Sequence, residues 1–297
     1  MAQEVSGGGR AAGLGRAVVG AGVVALALGA GTGIGTAVTD ALGITGFGAR
    51  LLPALLCSSI AVPLVLVLRV RWDHRSLTGI GLTGPRESMA ALLLGVVVTG
   101  GSAAAVLGAG TTIGWVRWGP LDLTALLAFV LTNGVIALLL EALPEEVTLR
   151  GYAWTSLCER HRAVLATLLT TALFLAIPGA ASVVSAAVTA VLGGGPSPIG
   201  IAPAGEDPFS YLVLLTVFGL TLVAARTATS SASLWTCVGT HLTFLTINRV
   251  TLFGQQRGAG WSAEFTTPDA VLLIPAYLIV AALTYLTVAH LRRQRSR

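Results

Sequence analysis

Residues 141–154 read EALPEEVTLRGYAW and set three carboxylates, Glu141, Glu145 and Glu146, and one guanidinium, Arg150, directly after a long and almost uncharged run. Glu146 and Arg150 are four residues apart, the spacing at which side chains on a helix form an ion pair. Such a pair satisfies Arg150 and keeps Glu146 ionised. Glu145, near the like charge of Glu141 at the edge of hydrocarbon, is suited to act as a general base toward a water molecule. Pro144 removes a helix hydrogen bond, so the backbone is expected to bend here and open a polar cavity. The same carboxylates also fit solvated residues at the end of a membrane span, and both readings stand at this point. Ionisable groups at membrane depth mark functional sites by default.

The elements that must carry these residues follow from composition. The chain has 297 residues, 54% of them hydrophobic and 10% charged, with a mean hydropathy of +0.84. Soluble domains are about one quarter charged, so this surface is built for lipid. The expected fold is all-α, a polytopic transmembrane helical bundle of about eight spans. Runs long enough to cross a bilayer lie near 17–38, 51–70, 89–113, 121–143, 163–178, 209–226, 233–250 and 269–290. The first resembles a signal-peptide core, but it is too long for one and lacks a cleavage site, so it reads as a span. The run 180–192 is too short to cross and either re-enters the membrane or extends the fifth span. Residues 193–208, GGGPSPIGIAPAGEDP, form a glycine- and proline-rich loop.

All eighteen basic residues are arginine. With a cytoplasmic N-terminus, eight spans leave only Arg50, Arg117, Arg249 and Arg257 on the outer side and fourteen arginines inside, Arg10 and Arg297 among them. That is the asymmetry of the positive-inside rule, and both termini are expected in the cytoplasm, at a bacterial plasma membrane. The net charge of +5 therefore needs no nucleic acid to explain it. Cys57, Cys158 and Cys237 are scattered and make no disulfide framework.

The motif EExxxRG, here Glu145, Glu146, Arg150 and Gly151, resembles the first motif of the CPBP intramembrane metalloprotease family, also called the CAAX-protease and bacteriocin-processing or Abi family. SLTGIGL at 76–82 resembles that family's segment before the motif-bearing helices, and ARTATSSASLWTCVGTHLTFL at 225–245 resembles its histidine-bearing helix, with His241 at the third-motif position. The likeness spans roughly 75–250. It implies three regions: an N-terminal pair of spans over 1–74, a protease-like core over 75–250, and a last span with a basic tail over 251–297. It also implies an endopeptidase that cleaves peptides or proteins at the bilayer, with a divalent metal such as zinc as cofactor. Glu145 would be base or ligand, Glu146 its supporting neighbour, Arg150 a structural clamp, and His241 a ligand or transition-state stabiliser.

Two positions depart from that pattern. The second motif, FxxxH, appears as FLAIP, with Phe174 in register and Pro178 where the histidine belongs. The third motif continues to Leu245 where asparagine is usual, and Asn248 lies too far along the helix to replace it. A catalytic zinc site takes three protein ligands and a water, and Glu145 with His241 supplies two. Cys237, one turn before His241, is a candidate third ligand or a small apolar packing residue. His241 is otherwise an interhelical hydrogen-bonder. An active peptidase and a non-catalytic descendant that binds a membrane peptide or scaffolds a partner are both compatible with these residues. A transporter would show internal repeats, and none is visible.

Overall fold

The computed structural model describes residues 2–203 and 205–295, with side chains from residue 11 onward. Arg297 and the side chain of Arg10, both used above for orientation, lie outside the described residues. In chain order the elements are α1 (Ala2–Ala41), α2 (Gly46–Val67) with a π-helical end (Leu68–Trp72), a 3-10 turn (Thr78–Ile80), α3 (Pro85–Thr112), β1 (Val116–Trp118) and α4 (Leu123–Ala137). Then come a π-helical turn (Leu138–Ala142), α5 (Leu143–Glu145), a π-helical segment (Glu146–Ala153), α6 (Trp154–Cys158), α7 (Ala163–Val191), α8 (Pro208–Thr227), α9 (Leu234–Thr251), β2 (Ala263–Phe265), a 3-10 turn (Pro268–Leu272) and α10 (Leu273–Arg295).

Helices dominate because lipid offers no partner to an unpaired backbone group, so each segment must satisfy its own. Seven of the described helices are long and apolar enough to cross a membrane. The eighth expected run forms α9, whose 18 residues include His241, Asn248, Arg249 and a series of threonines. These make it more polar than a lipid-facing span. Most of its side chains are buried nonetheless, Thr236, Val238, Thr240, His241 and Phe244 among them, and a helix enclosed by protein can be polar where its groups find partners.

One boundary differs from the sequence reading, and for the run 180–192 one of the two expected alternatives holds. The apolar run ends near 143, but the helix continues unbroken from Leu123 to Cys158, so Glu145 and Glu146 lie within a helix and not at its end. The short run 180–192 belongs to α7, which passes straight through Pro178 to Val191. Residues 193–203 and 205–207 are irregular as expected, and Asp207 ends them by accepting a hydrogen bond from the Ser210 amide at 2.8 Å. That amide holds the Asp207 carboxyl below the usual carboxylate range.

The chain divides into two compact units, Met1–Leu82 with Leu139–Leu220, and Thr83–Leu138 with Thr221–Arg297. In the first, α1 packs on α2 and α7. Arg16 contacts Asp73 at 3.0 Å and Glu159 at 3.5 Å. Arg69 and Arg75 reach Glu159 at 3.5 and 2.6 Å, so charges from α1, the end of α2 and the end of α6 are tied together.

In the second unit α3 packs on α9 and α10. The α3–α9 crossing requires glycine on both sides. A Cβ at Gly95 would stand 2.4 Å from the Thr236 carbonyl oxygen, and one at Gly239 would stand 2.3 Å from that of Leu92. Small residues let membrane helices approach this closely. The pair β1–β2, antiparallel with Arg117 opposite Glu264, was not expected from the sequence; three-residue strands are too short for alternation to register.

Candidate active site

The acidic helix is built around Pro144. In an α-helix its amide would donate to the carbonyl of Leu140, and in the wider π-turn to that of Leu139. Proline has no N–H, so another donor is needed for these carbonyls. They are met from α2: the Cys57 thiol donates to the Leu140 oxygen at 3.4 Å, and the Ser58 hydroxyl donates to the Leu139 oxygen. On the other side, the Thr148 hydroxyl sits 2.7 Å from the Pro144 oxygen and 3.1 Å from that of Glu145. The carbonyls that lose a donor at Pro144 are therefore supplied from α2, in a helix that carries two π-helical stretches. Such stretches recur at functional sites.

Glu145 closes α5, and Glu146 opens the π-helical segment. Glu146 Oε1 accepts from Arg150 Nη1 at 3.3 Å, with both side chains fully buried. The Arg150 guanidinium also lies over the Phe174 ring of α7, 4.4 Å from its centroid, and that ring packs at 6.1 Å against Phe218. Arginine suits this position because its flat cation can pair with a carboxylate and stack on an aromatic face at once. Phe174 entered the sequence reading only as a register mark. Here it has a physical role, holding the cation that holds Glu146. The two adjacent acids differ in access: Glu146 is 0% exposed and Glu145 is 8% exposed.

The second unit holds the histidine helix. His241 is buried in α9. One residue before it, Thr240 is 2.6 Å from the Tyr285 hydroxyl of α10, which also donates to the Gly95 carbonyl at 3.1 Å. One turn beyond, Phe244 packs against Tyr277, whose hydroxyl donates to Asn248 at 2.9 Å. Arg249 donates to Asn133 of α4 at 3.2 Å. Tyr277 and Tyr285 thus set the position of α9, and the sequence reading missed both. The available signal was two phenols in the apolar stretch of α10, since a buried tyrosine hydroxyl needs a partner.

The donors present do not fit the zinc site that the resemblance implies. Among the described residues no three His, Cys, Asp or Glu side chains gather as metal ligands. The Cys237 thiol is buried and donates to the Leu222 carbonyl of α8 at 3.3 Å. Position 178, a proline within α7, offers no donor atom.

Residues 125–247 match the family of Rce1-like proteins, described as type II CAAX prenyl endopeptidase Rce1-like. The matched segment contains Glu145, Glu146, Arg150, Phe174, Pro178 and His241, and it agrees with the CPBP resemblance. It leaves out the SLTGIGL stretch at 76–82. Neither the curated proteins nor the solved structures give a match. Over this segment the chain is similar to CAAX-protease-type membrane proteins.

Proposed function

We propose that the chain is a membrane-embedded endopeptidase that hydrolyses a peptide bond in a membrane-associated peptide or protein. The observation that carries this reading is the division of labour between the two adjacent acids. Glu146 is fully enclosed and committed to Arg150 on Phe174, while Glu145, at 8% exposure, is the less enclosed of the two. A general base must reach water, and of the two adjacent acids Glu145 comes nearer to that condition. In the proposed step Glu145 takes a proton from a water as its oxygen attacks the scissile carbonyl. The developing oxyanion is stabilised by an N–H donor, a role assigned to His241 by its motif position. The proton held by Glu145 then passes to the leaving amine as the C–N bond breaks, which returns the carboxylate. No step is routed through a metal.

A second reading is favoured by Pro178 and Leu245. Without an imidazole at 178 and an amide at 245, the bundle would bind a membrane peptide without cutting it. One experiment separates the two. Purified protein in lipid nanodiscs is incubated with membrane-anchored peptides carrying prenylated C-terminal ends, and products are read by mass spectrometry. Cleavage that disappears in Glu145→Ala supports the peptidase. Binding without product, unchanged by Glu145→Ala, supports the non-catalytic reading. Cleavage that survives Glu145→Ala removes the proposed base.

We also place both termini in the cytoplasm, supported by the arginine asymmetry. Reporter fusions at the two ends should both report cytoplasm, and an extracytoplasmic signal from either end overturns this orientation.

A further inference from the structure

Two cavities of the second unit share Trp118 in their walls, near the end where β1 and β2 pair. One, of about 450 Å³, opens between α3, α4 and α9 and is walled by small and apolar side chains such as Ala103, Gly108, Val130 and Ile247. The other, of about 360 Å³, is walled by the strand pair and the loop after α9, with Arg117, Gln255, Gln256, Ser262 and Glu264. Trp118 lines both. It stacks on Trp261, with ring centroids 4.2 Å apart, and its indole N–H donates to Thr111 at 2.9 Å. Tryptophan collects at the boundary between hydrocarbon and headgroups. An apolar slot and a polar pocket that flank one tryptophan at such a boundary match the two halves of a single amphiphile.

The charges in the polar pocket narrow the choice. Arg117 and Glu264 are directly opposite in the antiparallel pair, so their side chains leave the same face of the ribbon. Among the described residues no ion pair joins them. The pocket thus presents one cation and one anion side by side. A purely anionic headgroup would meet Glu264 as a repulsive neighbour. A zwitterionic headgroup, with a phosphate for Arg117 and an ammonium for Glu264, uses both.

We propose that the second unit binds one glycerophospholipid with a phosphoethanolamine headgroup, an acyl chain in the slot between α3, α4 and α9 and the headgroup at Arg117 and Glu264. This does not depend on the chain being a peptidase.

Native mass spectrometry tests it on the full-length protein, offered an equal mixture of phosphatidylethanolamine and phosphatidylglycerol with identical acyl chains. One lipid should remain per chain, with the ethanolamine form favoured roughly two- to five-fold, the range that an exposed charge pair contributes. Glu264→Gln should bring that ratio to about one, and Arg117→Gln should lower retention of both lipids. Gly108→Phe should abolish retention of both, because a Cβ there meets nothing within 4 Å and the ring can enter the slot. Ala104→Phe, on the same wall, serves if the first variant fails to fold, and an unchanged unfolding temperature certifies either one. No retained lipid, an equal or reversed headgroup preference in the unaltered protein, or full retention after the slot is filled each overturns the proposal.

Discussion

Replacing Arg150 with alanine is expected to destabilise the protein by about 3–5 kcal/mol, the cost of leaving a buried partner charge uncompensated. Glu146 and Arg150 have fully buried side chains, so water cannot take over the lost contact. The Phe174 face would also lose its cation. The pair itself is a different matter, because taking two charges out of water offsets much of their attraction. Replacing both together, as Glu146→Gln with Arg150→Met, should therefore be far milder than Arg150→Ala alone. Arg150→Lys should fall between, since it keeps the charge and loses the flat stacking surface. Unfolding temperature and denaturant midpoints in mild detergent measure all three. An Arg150→Ala protein that unfolds with the unaltered one would show that this pair does not organise the helix.

Under the peptidase reading, Glu145→Ala and His241→Ala should each lower the cleavage rate by about 10²–10⁴, the range for losing a positioned proton-transfer group. The double variant should be little worse than either alone. Residues that act as one unit are strongly non-additive, because removing the first leaves the second nothing to assist. Rates that multiply would mean that the two residues act in separate steps, and the carry-over of His241 to the reacting centre would be wrong. Unfolding temperature is the control. Glu145 is less enclosed than Glu146, so Glu145→Ala should leave stability near that of the unaltered protein, whereas Arg150→Ala should not. That contrast separates a residue kept for chemistry from one kept for structure.

Much of the architecture was legible without coordinates, and for one reason. In hydrocarbon the backbone must close its own hydrogen bonds, so long apolar runs can only be helices, and their number and positions follow from composition. The Glu146–Arg150 contact was legible too, because it is local and four residues apart on a helix. What misled the reading was treating apolarity as the limit of a helix. The acidic helix continues past 143 to Cys158, whereas α9, polar as it is, is the helix expected over 233–250. Both exceed what lipid exposure allows because protein, not lipid, surrounds those polar groups.

The sequence alone determined an all-helical membrane bundle, the adjacent acids with their arginine, and the motif register of Phe174, Pro178 and His241. Only the tertiary structure decided what each of these touches. Cys57 and Ser58 serve the carbonyls that lose a donor at Pro144 from more than eighty residues away. Phe174 supports Arg150, Tyr277 and Tyr285 hold α9, and Cys237 spends its thiol on Leu222. Each of these is a pairing between distant segments. A periodic pattern shows which face of a helix is apolar, but the partner across an interface depends on how two surfaces fit. That fit is set by close packing such as Gly95 against α9, which no spacing along one chain segment encodes.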